Sequence, residues 1–316
     1  MFTNRTQIEP CIGMSGECNI YISSTNTSIN VIAIIINIIH IIILKNIPGL
    51  SKRNHFWILV GITLADILVA ISLALNTSCM IHDIQLSANN IVGSAFLLVG
   101  KESTTQSRYL LLLLASLDRF YAVCKPFKYG TSTVVNNLGK ASLVMFIVSV
   151  VIPVVKLLAM PESLCLSNET GPVLFNDSTK NKALLSVISF SLMLLPAVAT
   201  AILLGNVGWE LKKMKKRAGG IEDQELKTAS KYVVGTCIMF YSTVVPHFLF
   251  KIAVAILKKQ LAVEVLELVV SILWIFQSLY AICNVIFYAY LHPSYVERFK
   301  SLVRRLRTVV RVFPAA

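Results

Sequence analysis

Asp66, Lys101, Glu102, Arg108, Asp118 and Arg119 all fall in stretches too apolar for ordinary surface charges. A charge in hydrocarbon costs roughly 2.5–3.5 kcal/mol on insertion scales, so each group must pair, reach water or face a shared interior. The chemistry this offers is ion pairing and ligand recognition rather than bond cleavage. There is no glycine-rich phosphate loop, no metal-ligand spacing among the 5 histidines and no nucleophile beside a base. Neither enzyme activity nor a cofactor or metal is expected. The most informative stretch is LLLLLASLDRFYAVCKPFKY, Leu110 to Tyr129, where a leucine run long enough to lie in lipid ends at Asp118, Arg119 and Phe120. An acid beside an arginine at a membrane boundary lowers the cost of holding that cation until a partner competes for it. The alternative is that both are flanking charges under the positive-inside bias.

The elements that position these groups are read as membrane spans. With 55% hydrophobic and 14% charged residues and a mean hydropathy of +0.71, the chain does not suit a soluble domain. Its net charge of +13 sits in loops and tail, where cytoplasmic retention and anionic lipid account for it without nucleic acid. Apolar segments near the ~20 residues needed to cross a bilayer occur at Ile29 to Leu44, Phe56 to Leu75, Ile91 to Val123, Ala141 to Met160, Ala183 to Leu204, Tyr232 to Leu257 and Leu261 to Leu291. The expectation is an all-α membrane protein: a seven-transmembrane helix bundle over 29–291, an extracellular segment over 1–28, and a cytoplasmic amphipathic helix and tail over 292–316. Because Met1 to Ser28 is polar, the first span itself is expected to direct insertion.

Sequons at Asn4, Asn26, Asn76, Asn168 and Asn176 all fall on one side if seven helices alternate, and glycosylation is expected there. The basic clusters fall on the other: Lys45, Lys52 and Arg53; Arg119, Lys125, Lys128 and Lys140; Lys212 to Arg217; and Arg298 to Arg311. The amino terminus is therefore read as extracellular, in the plasma membrane. Cys11, Cys18, Cys79 and Cys165 lie on the oxidising side, and four cysteines allow three pairings that sequence does not choose between. The pairing carried forward is Cys79 with Cys165 and Cys11 with Cys18, with free thiols as the alternative.

On this topology the boundary stretch gains company. LASLDRFYAVCKPFKY resembles the Asp-Arg-Tyr end of the third helix in rhodopsin-like (class A) G protein-coupled receptors. Leu64-Ala65-Asp66 is similar to that family's second-helix motif and Asn37 to its first-helix asparagine. Pro196 and Pro246, with Phe240 before the latter, match helices five and six, and Cys283 to Tyr288 is similar to Asn-Pro-x-x-Tyr with Val285 in place of proline. The departures are Val244 where helix six usually has tryptophan, Leu204 where helix five has tyrosine, and no cysteine at the outer end of helix three. Ala122 to Tyr129 is also similar to chemosensory receptors of the odorant type. The resemblance implies a receptor that binds a small extracellular ligand and activates a heterotrimeric G protein. A transporter or channel would line a path with the same charges, but its usual internal repeats and broken helices in matching halves are not found. A receptor-like protein that no longer signals stays open because of the missing switch residues.

Asp66 lies 11 residues beyond His55, and Arg108 lies 11 residues before Arg119, so both sit ~16 Å from the cytoplasmic boundary. Opposite charges at one depth should pair, with Asn37 and Asn284 near enough to add hydrogen bonds; the alternatives are that Arg108 snorkels or pairs with Glu102. In the family the matching aspartate commonly helps bind sodium, and Arg108 would fill that site with a fixed cation. Lys101, Thr105, Arg108, Leu112, Ala115 and Arg119 share one helical face, expected to look inward. Lys101, Glu102, Thr105, His247, Lys251, Trp274 and Gln277 then form the candidate ligand site. Its lysines favour an anionic or carbonyl-bearing molecule over an amine, although each of these residues also fits a packing or headgroup role. On the cytoplasmic side, Asp118, Arg119, Phe120, Glu225, Phe240, Pro246, Asn284 and Tyr288 are the expected coupling residues. The tail places Phe299, Leu302, Val303, Leu306, Val309, Val310 and Phe313 on one helical side and arginines on the rest, a helix suited to anionic lipid.

Overall fold

The computed structural model describes residues 16–50, 55–81, 91–159, 180–217, 224–257 and 263–312. The described residues form helices and no strand: α1 (Gly16–Asn46), α2 (His55–Ile81), α3 (Ile91–Cys124), the short α4 (Pro126–Tyr129) and α5 (Thr133–Asn136), α6 (Leu138–Ala159), α7 (Lys180–Arg217), α8 (Gln224–Leu257), α9 (Val263–Leu291) and α10 (Pro293–Val312). Among them, α1, α2, α6, α7 and α9 contain stretches long and apolar enough to cross a membrane. The 34-residue α3 falls outside that group. In α3 the reason is visible in the sequence: Lys101, Glu102 and Arg108 interrupt an otherwise apolar run.

Several helices bury their polar side chains and expose apolar ones. On α1, Asn26, Asn30, Ala33, Asn37, His40 and Leu44 recur at steps of three and four and are buried, while Val31, Ile32, Ile35, Ile38 and Ile42 are exposed. On α6, Ser142 and Ser149 are buried and Leu143, Val144, Ile147 and Val151 exposed. A helix in water would show the reverse arrangement, and lipid is the solvent that favours this one. Several serine and threonine hydroxyls donate to carbonyls of their own helices, as Thr63 does to Leu59 and Ser142 to Leu138.

Helix α3 is the central element, packed against α2, α6, α7 and α8, while α1 leans on α2 and α9. The largest apolar cluster joins Ile58, Ile62, Leu111, Leu114, Phe240 and Tyr288. Phe240 takes the edges of Tyr109 and Tyr280, with centroids 4.8 and 5.6 Å away. Pro153, Pro196 and Pro246 lie inside α6, α7 and α8, where each removes a backbone donor and gives the helix a place to bend. Helix α10 is anchored by Tyr295, 4% exposed, whose hydroxyl lies 2.9 Å from His40 Nδ1 on α1.

One expectation is corrected. Asn26 is 1% exposed, and its side-chain oxygen accepts from Ser278 Oγ on α9 at 3.2 Å and Asn30 Nδ2 at 3.0 Å. The sequon lies inside α1, packed against α9, where a glycan has no room. Asn4, Asn168, Asn176, Cys11 and Cys165 lie outside the described residues, as do the side chains of Cys18, Asn76 and Cys79. Removing the glycan signal by Asn26→Gln is expected to leave electrophoretic mobility before and after glycosidase treatment unchanged; a lost glycan band would contradict this packing.

Candidate functional site

Two polar centres sit on α3, three helical turns apart. At the first, Arg108 Nε lies 2.7 Å from Asp66 Oδ1, with the two side chains 2% and 0% exposed. The N–H is not well aimed at that oxygen, and Nη2 is buried without a hydrogen-bond partner. Coulomb attraction in a dry setting therefore holds the pair more than hydrogen-bond angle does. The guanidinium carbon also lies 5.3 Å from the Tyr280 ring centroid, where the ring face adds cation–π attraction.

The second carboxylate oxygen, Oδ2, accepts from Asn284 Nδ2 at 3.2 Å. The amide oxygen of Asn284 in turn accepts from Tyr232 Oη at 2.9 Å and Thr236 Oγ1 at 3.2 Å, both on α8. A single connected network thus joins α2, α3, α9 and α8. Asn37 does not enter it: its Nδ2 donates to the Ala33 and Ala281 carbonyls at 2.9 and 3.2 Å, tying α1 to α9. Arg108 neither snorkels nor reaches Glu102 for its ion pair; Asp66 is its partner.

At the end of α3, Asp118 and Arg119 are 2% and 5% exposed. Arg119 Nε donates to Asp118 Oδ2 at 2.9 Å, and Arg119 Nη2 contacts the same oxygen. Tyr129 of α4 donates its hydroxyl to Oδ1 at 2.9 Å, so the carboxylate fastens α4 beneath α3. Burial and the adjoining Asp118 push the Tyr129 phenol up to about 12. The pair borders a small cavity also lined by His55, Tyr232, Tyr288 and His292. Burial lowers the His292 imidazole below its ordinary value. Phe120 lies under Lys125, 5.5 Å from the ring centroid to Nζ, and Phe127 of α4 is 97% exposed.

Of the candidate ligand residues, Trp274 and Gln277 are each 8% exposed, with Trp274 packed on Val69, Leu73 and Phe250. Thr105 and Glu102 are half-buried. The side chains of Lys101, His247, Lys251 and Glu225 lie outside the described residues. Among the described residues no group of three His, Cys, Asp or Glu could hold a metal. Tyr129, Tyr232, Thr236, Tyr280 and Phe127 were not singled out by sequence. Tyr129 closes the motif stretch and could have been noticed there, whereas the others are specified only by packing.

Arg108→Ala should destabilise the protein by about 3–5 kcal/mol, because Asp66 is left buried and unpaired. Adding Asp66→Asn to Arg108→Met should recover most of that loss, both read as thermal melting of the purified protein. Subtracting a Tyr129→Phe absorbance titration from that of the wild type should reveal a phenol ionising near 12 rather than 10.0. The raised value means the Asp118–Tyr129 hydrogen bond is intact below pH 10 and lost as pH rises through 12.

A sequence comparison matches residues 36–288, most of the chain, to the 7 transmembrane receptor (rhodopsin family). No curated protein matches the chain.

Proposed function

The chain belongs to the rhodopsin family of seven-transmembrane receptors, and from that premise we propose that it binds a small extracellular ligand and activates a heterotrimeric G protein at the Arg119 end. Members of this family are multi-pass membrane receptors that signal, not enzymes. In this reading α1, α2, α3, α6, α7, α8 and α9 are the seven spans, and α10 lies on the anionic cytoplasmic face of the plasma membrane.

The observation that carries the proposal is the buried Asp118–Arg119 pair at the wall of a cavity rimmed by four helices. Arg119 is held by a neighbour on its own helix, so a competing carbonyl or carboxylate can release it without unfolding anything. Outward motion of α8, pivoting near Pro246, would widen this cavity enough to admit a partner helix. Phe127, nearly fully exposed on α4 between Lys125 and Lys128, adds an apolar anchor flanked by cations.

Ligand recognition is assigned to the opposite end, to Lys101, Glu102, Thr105, His247, Lys251, Trp274 and Gln277. Lys101 and Lys251 favour an anionic or carbonyl-bearing molecule. Between the two ends, Arg108 occupies the carboxylate that would otherwise attract a mobile cation, so signalling proceeds without sodium control.

Co-expression with a panel of G proteins should show nucleotide exchange above background, and Arg119→Ala should reduce it by about tenfold or more, a change worth about 1.4 kcal/mol in coupling. Absence of exchange across the panel and a ligand library would refute receptor signalling. Melting temperature should be the same in sodium and potassium chloride at equal ionic strength, while Arg108→Ser should gain sodium-specific stabilisation.

A further inference from the structure

The contact between α8 and α9 contains a fit whose tightness has no counterpart at the other described glycines. A Cβ built on Gly235 would overlap Cε1 and Cζ of the Phe287 ring, so the absence of a side chain at 235 is what lets the ring sit there. Phe287 also lies parallel to Tyr232, one turn before Gly235 on α8, with centroids 6.3 Å apart and planes at 22°. Tyr232, Gly235 and Thr236 stand at i, i+3 and i+4, and Asn284 and Phe287 at i and i+3, so these two short faces meet directly. One turn away from the ring, Tyr232 and Thr236 both donate to Asn284, which is bound to Asp66.

We propose that the Phe287 ring seated in the Gly235 notch is the steric latch that holds α8 against α9 and sets the receptor's activity in the absence of ligand. The reasoning rests on the proposed role of α8 motion in opening the cavity. Hydrogen bonds from two hydroxyls to one amide oxygen fix the distance between the helices only while the backbones can approach this closely. A β-carbon at 235 displaces the Phe287 ring from its seat, and where the ring has no room to turn it pushes α8 from α9 and lengthens the bonds to Asn284 one turn away. Alanine is the better helix former, so lost helical propensity would not account for an effect of Gly235→Ala. Gly235 and Phe287 act here as positioning residues for α8; neither is assigned a contact with ligand or G protein.

The test is a double-variant cycle with two readouts. Nitroxide labels at Lys140→Cys and Lys231→Cys, both exposed positions, report the distance between α6 and the start of α8 in a Cys283→Ser background. Ligand-free nucleotide exchange on a co-expressed G protein reports signalling. Gly235→Ala should lengthen the label distance and raise basal exchange roughly three- to tenfold, within the coupling range of residues in direct contact. Phe287→Ala should do so more weakly. The double variant should return towards wild type in both, because the methyl group refills space the ring vacated. If Gly235→Ala fails to reach the membrane, the double variant must reach it. The latch is overturned if Gly235→Ala leaves the distance unchanged, if the double variant is displaced as far as the singles combined, or if it too fails to fold. A label distance that follows this pattern with no change in ligand-free exchange upholds the helix packing and overturns its control of basal activity, whereas no exchange with any G protein or ligand refutes signalling itself.

Discussion

The ion pair between Asp66 and Arg108 constrains everything around it. A buried carboxylate and guanidinium cannot separate without leaving one charge stranded in a medium that does not solvate it. Helices α2 and α3 are therefore fixed in register at this level, and Asn284 binds the remaining oxygen to bring α9 to the same point. Through Tyr232 and Thr236 the network continues to α8, the helix assigned the movement. A single carboxylate is thus the hub of four helices, two of them held directly and two through one amide.

In the proposed function Arg108 stands where the resembling family commonly holds a mobile cation, which changes what the hub can do. A sodium ion leaves and returns with concentration and can report the state of the protein, whereas Arg108 is always present. The electrostatic balance of the core is then set by geometry alone. The face of Tyr280 accepts part of the charge that the carboxylate does not, which explains how an arginine with one unpartnered nitrogen is tolerated in so closed a place. Control of the helices must accordingly come from contacts further along the network, on the α8–α9 seam and at Asp118.

Much of this could be read from the chain because charges in apolar segments are few and helical rise converts sequence offset into depth. Asp66 and Arg108 were placed opposite each other from two offsets of equal length, and the Asp118–Arg119 boundary from the end of a leucine run. Asn284 was rightly placed beside Asp66, but Asn37, at comparable depth, turns to the Ala281 carbonyl instead. Depth is a one-dimensional coordinate, and only rotation of the helix about its axis decides which neighbour a side chain meets. The same gap hid Tyr232 and Tyr280, which look like ordinary aromatic packing until their partners are known. Asn26 failed for another reason: a sequon describes three residues, and whether the first is accessible depends on where the helix begins.

The polar side of α1 has a bearing on biosynthesis. Asn26, Asn30, Asn37 and His40 are among the first intramembrane residues to leave the ribosome. Yet the partners of this row, Ser278, the Ala281 carbonyl and Tyr295, belong to the last span and the helix after it; the Asn37 bond alone closes across 244 residues. Throughout translation of the intervening spans this row has no permanent acceptors or donors from α9. Asn30 and Asn37 find carbonyls on their own helix, but the bonds to α9 and α10 form only after those helices have been made. Closure of the α1–α9 seam is thus a late contact, made between helices far apart in sequence.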